Sequence, residues 1–221
     1  MKYEIKGQSL PVVILTLEAG EEIHSEAGAM SWMSDSIEMT TNAGGSVGKA
    51  FSRMFSGESI FQNVYKAKYS GDYIAFSSSF PGEIIAIDVT NKPIIAQKTA
   101  FLAKESGVDM SIHFQRKLGA GFFGGEGFIM QKFTGNGYVF LEIDGSLHEY
   151  ELAHGESMIL DTGYLAAMEE TVKMDILTVK GVKNVLFGGE GLFNTKVTGP
   201  GKVWVQSMPK HKLAGLFQVN K

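Results

Sequence analysis

Two stretches of this chain are nearly the same. FGGEGFIMQKFTGNGYVF begins at Phe123 and FGGEGLFNTKVTGPGKVW begins at Phe187, and each reaches a threonine, Thr134 or Thr198, 11 residues on. A chain that writes one unit more than once must fold each copy into a similar piece and bury the copies against one another. A weaker copy, FSGESIFQNVYKAKYSGDYIAF, begins at Phe55, with Gly57-Glu58 in place and the Ser70-Gly71 turn four residues later than expected. Phe55, Phe123 and Phe187 are 68 and 64 residues apart. A second element agrees: Gly20-Glu21 stands eight residues before Gly28 with Met33 following, and Gly155-Glu156 stands eight before Gly163 with Met168 following. Gly82-Glu83 reads as the degenerate middle copy. The pattern predicts a single domain over 1–221 made of three repeats, at about 1–78, 79–147 and 148–221.

Within each repeat, apolar and polar residues alternate and turn residues recur every six to ten positions, which is the pattern of short half-buried strands. The chain holds 27 glycines against five prolines, so many tight turns with positive φ are expected. The clearest predicted hairpin runs from Tyr138 to Ile143, turns at Asp144-Gly145 in type I′ geometry, and returns from Ser146 to Leu152. One stretch departs from the rule: Val47, Phe51, Met54 and Phe55 fall at helical spacing. The predicted fold is therefore all-β, three β-sandwich-like repeats packed around a pseudo-threefold axis, with one short helix near residues 47–55. A chain of this length buries about 70% of its unfolded surface, enough for a substantial core.

The GKAFSRMFSGESIF run from Gly48, the paired FGGEG motifs and the closing GPGKVWVQS from Gly199 resemble the altered-inheritance-of-mitochondria family of bacterial and mitochondrial proteins. The resemblance covers essentially the whole chain. It implies a β-rich, pseudo-threefold fold similar to the tryptophan RNA-binding attenuation protein superfamily, and it brings no defined activity with it. In mitochondrial members it implies a link to membrane organisation.

Several chemistries are excluded or weakened by composition. Net charge is −4, so the molecule as a whole lacks the positive field that gathers nucleic acid. With no cysteine there are no disulfides, no thiolate catalysis and no cysteine-held metals. Val12 to Leu15 plus Leu17 is too short for a secretion-signal core, and no window reaches the roughly 18–20 apolar residues of a spanning helix, so a cytoplasmic location is expected. Gly44-Gly45-Ser46-Val47-Gly48 matches the nucleophile elbow of a serine hydrolase, with Ser46 as nucleophile. An elbow works at the top of a parallel α/β sheet, and nothing here alternates strand with helix. The same stretch misses a phosphate loop, since Ala43 and Ala50 replace the first glycine and the hydroxyl residue. No His-x-His pair exists; His148 is expected to pack on the face of Tyr150 and Leu152, and His154 to be exposed at a turn.

What does recur is one acid and one mixed patch. Glu58, Glu126 and Glu190 each follow a glycine at the entry to a strand, where a carboxylate accepts hydrogen bonds from free backbone amides. Ahead of them lie basic and aromatic residues: Lys49, Phe51, Arg53 and Phe55, then Arg116, Lys117 and Phe122, then Lys183. Brought to one surface, these would suit a partner protein or an anionic membrane. The expected function is a non-enzymatic β scaffold, without cofactor, that self-associates or docks. The alternative is a small-ligand or RNA-binding regulatory module like the resembled superfamily, although only scattered lysines such as Lys132 and Lys196 recur.

Overall fold

The computed structural model describes residues 1–42, 62–116, 127–178, 193–210 and 212. Most of these lie in 19 short strands, as the alternation predicts. They are β1 (Lys2–Lys6), β2 (Val12–Leu17), β3 (Glu22–Glu26), β4 (Met30–Met33), β5 (Glu38–Asn42), β6 (Gln62–Lys66) and β7 (Asp72–Ser77). Next come β8 (Gly82–Asp88), β9 (Ile94–Gln97), β10 (Phe101–Glu105), β11 (Val108–Arg116), β12 (Phe128–Gly135) and β13 (Tyr138–Asp144). The last are β14 (Leu147–Leu152), β15 (Ser157–Asp161), β16 (Leu165–Glu169), β17 (Lys173–Thr178), β18 (Phe193–Thr198) and β19 (Gly201–Gln206). Single 3-10 turns stand at Lys98–Ala100 and Thr162–Tyr164. The helix predicted near 47–55 lies outside the described residues.

The strands form four sheets, in the orders β1-β2-β7-β4, β5-β6-β3-β10-β13-β8, β11-β12-β9-β16-β19-β14 and β15-β18-β17. The chain divides into two compact units, one of residues 1–91, 101–110 and 134–142, the other of 92–100, 111–133 and 143–221. In the first, β2 shows why this sequence makes strands: VVILTL alternates, and Val13, Leu15 and Leu17 turn inward. They meet Ile23, Tyr65, Ile74 and Phe76, with the Tyr65 and Phe76 rings edge to face at 5.9 Å. Each such fully buried side chain contributes about 1.5–3 kcal/mol. In the second unit Ile95, Phe128, Met130, Leu165, Met168, Val197 and Val203 build the core, and the Phe114 and Phe128 rings meet at 6.3 Å. Strands with a neighbour on both sides, such as β10 and β13, are buried almost throughout and lose their alternation.

Three expectations are corrected. The predicted hairpin of Tyr138–Leu152 does not form: β13 lies between β10 and β8, while β14 pairs with β19 from Leu147↔Gln206 to Leu152↔Gly201. Gly145 does take positive φ (77°), but Asn91 is the only non-glycine residue to do so among the described residues, so Asp144-Gly145 is not a type I′ turn. A turn sequence reverses the chain; the neighbour is chosen by burial, and β13, buried on both faces, takes two others. Gly82 is not the counterpart of Gly20 and Gly155, which both hold positive φ (87° and 78°) in the β2–β3 and β14–β15 turns. Gly82 opens β8, and the β8–β9 turn uses Asn91 (φ 59°), a residue that tolerates the left-handed region because its short polar side chain bonds locally. His148 is exposed, not packed: β14 ends its sheet, and of the face shared by His148, Tyr150 and Leu152 only Leu152 is buried, while on the other face Glu149 Oε1 accepts the indole N–H of Trp204 at 2.8 Å. His154 is exposed, as expected.

Candidate interaction surfaces

Of the predicted patch, Lys49, Phe51, Arg53, Phe55, Lys117, Phe122 and Lys183 lie outside the described residues, as do Glu58, Glu126, Glu190 and Ser46. The strands that carry these segments are described. Asn42 pairs with Gln62 and Thr178 with Phe193, and β11 lies beside β12, so each glycine-rich segment joins two neighbouring antiparallel or adjacent strands. Arg116, the patch residue that is described, ends β11 and is exposed. Its Nη1 donates to the Ile176 carbonyl at 3.4 Å, and its guanidinium stands over the Phe193 ring at 5.8 Å. An exposed cation–π contact of this kind adds about 0.5–1 kcal/mol. Phe114, Ile176 and Phe193 are half-buried against the core beneath. Within the second unit, the place where residues 117–126 leave β11 thus adjoins the place where residues 179–192 link β17 to β18.

The described carboxylates act on backbone and side-chain donors nearby. Glu105 Oε2 accepts the Tyr138 amide at 2.7 Å and Glu169 Oε2 the Lys202 amide at 3.0 Å. Glu142, buried, accepts the Ser79 amide and the Ser78 and Ser79 hydroxyls. Among the described residues no three His, Asp or Glu side chains gather as metal ligands would. Lys132, one of the recurring lysines, is ion-paired with Glu170.

Sequence reasoning passed over one pair. Lys104 on β10 stands directly opposite His24 on β3, and its Nζ donates to the Val108 carbonyl at 2.5 Å while lying 3.5 Å from His24 Nδ1. Burial pushes the Lys104 ammonium below its usual range, against the pull of Asp109. Burial, and then the lysine charge, push His24 down as well, opposed by a hydrogen bond that Gln62 accepts from the ring and by the charge of Glu22. The equivalent pair one sheet on, Met168 opposite Ile95, is wholly apolar, a contrast that only the strand registers bring out.

Every sheet ends on strands with one neighbour among the described residues, and two of these end strands carry large exposed apolar side chains in their middle. β4 ends the first sheet beyond β7, and β15 ends the fourth beyond β18. Trp32 on β4 is 46% exposed and Ile159 on β15 is 60% exposed. Large apolar side chains on an uncovered sheet edge mark a place where another strand can add.

A family model described as mitochondrial biogenesis AIM24 matches residues 3–208. The chain belongs to the AIM24 family. An uncharacterised AIM24 relative, M6_Spy0233 of Streptococcus pyogenes serotype M6, is 28% identical over 228 residues, covering 99% of this chain and 90% of its own. The crystal structure of protein SPYM3_0169 from Streptococcus pyogenes superposes with a TM-score of 0.82 at 24% identity, covering 98% of each chain, and so shares the fold. The family expected from the GKAFSRMFSGESIF run and the FGGEG motifs is therefore the right one, and the β-rich architecture expected with it is observed. In this AIM24 chain no helix among the described residues is long and apolar enough to cross a membrane.

Proposed function

We propose that this AIM24 protein is a non-enzymatic β scaffold, three copies of one six-strand unit, that acts by self-association or by docking to a partner protein or an anionic membrane surface. The docking face is formed by the glycine-rich segments with Lys49, Arg53, Arg116, Lys117 and Lys183 beside them. The observation that carries this reading is a recurring pairing scheme. Among β2–β7, β7 lies between β2 and β4 while β6 lies between β5 and β3; among β8–β13, β13 lies between β8 and β10 while β12 lies between β11 and β9. Among β14–β19, β19 lies between β14 and β16 while β18 lies between β15 and β17. Finer details recur with it. A bulge interrupts the pairing at Met30/Trp32, at Phe101/Ala103 and at Leu165/Ala167. The amide of Tyr73, Tyr138 or Lys202 is accepted by Ser34, Glu105 or Glu169.

In this scheme every glycine-rich segment joins the fourth strand of a unit to the fifth. Copies of one unit would then present the same segment three times, and the adjoining of Arg116 with Ile176 and Phe193 supports a surface shared by two of them. A cytoplasmic setting goes with this proposal. The test compares wild type with Lys49→Glu/Arg53→Glu in flotation with vesicles containing phosphatidylglycerol and in light scattering. Loss of flotation or of association supports the face; unchanged behaviour in both removes it. Salt-sensitive retention of mixed RNA on filters would favour the RNA-binding alternative, against which the pairing of Lys132 with Glu170 counts. Ester hydrolysis by wild type but not by Ser46→Ala would replace the scaffold with a hydrolase.

A further inference from the structure

The six-stranded sheet β5-β6-β3-β10-β13-β8 is joined in its middle by a short seam. There β3 and β10 pair Ser25 with Ala103, His24 with Lys104 and Ile23 with Glu105. In the next sheet β9 and β16 make a seam of the same length, pairing Ala96 with Ala167, Ile95 with Met168 and Ile94 with Glu169. One seam is centred on two titratable groups and the other on two apolar side chains.

The titratable pair belongs to a line of hydrogen bonds that crosses four strands of the first unit. Lys104, 4% exposed, donates from Nζ to the Val108 carbonyl at 2.5 Å, and the same nitrogen stands 3.5 Å from His24 Nδ1. Gln62 on β6 accepts a hydrogen bond from the His24 ring, and its Nε2 reaches Met110 Sδ on β11 at 3.8 Å. A neutral imidazole has one donor and one acceptor, whereas an ammonium can only donate. Nδ1 is therefore the acceptor facing Lys104, and Nε2 carries the proton directed at Gln62. The charges around the pair do not neutralise it. Asp109 on β11 is the acid that acts on Lys104. Glu22 acts on His24, but it is ion-paired with Lys66 on β6 at 2.9 Å, and Lys66 is drawn in turn toward Glu38 on β5. Glu26 lies two residues along β3, on the same side as His24.

We infer that this line is an acid-sensitive clasp: a proton on His24 turns Nδ1 into a donor facing the donor Lys104, sets two positive charges side by side, and opens the sheet between β3 and β10. The sheet then divides into the halves β5-β6-β3 and β10-β13-β8, while the seam of Ile95 and Met168 stays closed at the same pH. The direction follows from where the ring sits. Burial and the lysine charge hold His24 below its ordinary value in the closed seam, so the open seam takes up the proton first and acid favours opening.

Hydrogen exchange of the full chain, followed peptide by peptide at pH 7.5 and pH 5 and corrected for the intrinsic pH dependence of exchange, compares the two seams. Peptides of β3 and β10 are expected to exchange about fivefold or more faster at pH 5, and those of β9 and β16 at an unchanged corrected rate. The same change in both seams, or none in either, overturns the clasp. His24→Gln keeps an acceptor for Lys104 and a donor for Gln62 without a titrating proton, and is expected to retain slow exchange in β3 and β10 at pH 5. The double variant His24→Ile/Lys104→Met copies the centre of the other seam and covers the case in which His24→Gln folds poorly. It too is expected to make the β3–β10 seam indifferent to pH, and acid opening that persists in it sinks the inference. Nitrogen-15 shifts of the His24 ring at pH 7.5 give a separate reading: the Nε2–H tautomer is expected, and the Nδ1–H tautomer would overturn the proposed line of donors.

Discussion

Lys104 is a buried ammonium at a place in the β10–β3 pairing where the β16–β9 pairing has the thioether of Met168. Its one close acceptor is a backbone carbonyl, and its neighbour across the strands is a histidine whose charge it opposes. Removing a buried charge in favour of an apolar residue of similar volume is often neutral or stabilising. Lys104→Met is accordingly expected to raise unfolding free energy by about 1–2 kcal/mol in urea titration. The pH dependence has a definite sign. His24 is held below its ordinary value in the folded chain, so as pH falls through about 6.5 the unfolded chain takes up a proton first and stability declines. His24→Ile, the residue found at position 95, should flatten the fall in melting temperature between about pH 7 and pH 5, and an unaltered slope would exclude His24 as its source. Neither residue stands out by type in the sequence. Both become visible only when strands are aligned by their partners.

Among elements, the connections between strands are where local chemistry and tertiary choice part company. Gly137, just before β13, and Gly201, at the start of β19, have φ of 127° and 134°, and an added Cβ would lie 2.5 Å from Glu105 Oε2 or Thr171 Oγ1. Alanine at either site is expected to cost more than about 1 kcal/mol, from the positive φ together with displacement of the acceptor of the next amide. Glu169→Ala leaves the Lys202 amide without its partner and should destabilise by about 1–3 kcal/mol, measurable as a lower urea midpoint with an unchanged m-value. The alternation in VVILTL and its like was enough to recognise strands, and the positive-φ turns expected from the glycine count are found at Gly20 and Gly155 among others. The hairpin at Asp144-Gly145 was misread because a turn signal says that the chain reverses and is silent on whether the next strand stays in the sheet. His148 was misread for a related reason: alternation puts His148 on the face of Leu152, which is buried in the core, but it does not say how far along an edge strand that burial extends, and in β14 it stops before Tyr150 and His148.

For the molecule as a whole, salt tests the proposed docking face. Docking of a chain with net charge −4 to an anionic surface depends on a local basic patch, whose reach shrinks from about 10 Å at 0.1 M salt to about 3 Å at 1 M. Vesicle flotation is therefore expected to be lost over that range. Flotation that persists at 1 M salt would exclude the basic patch as its source.

From the sequence alone came the β-rich class, the family, the recurrence of a unit near Phe55, Phe123 and Phe187, and the absence of thiol chemistry, because periodicity, motif spacing and composition are properties of the string. Only the tertiary structure decided which strand lies beside which, that β10 and β16 are covered while β4 and β15 are not, and that Lys104 and His24 face each other across a junction made elsewhere of methionine and isoleucine. The physical reason is that strand pairing is non-local: a strand's hydrogen-bonding edges are alike along any sequence, and burial of side chains distant in the chain selects the neighbour.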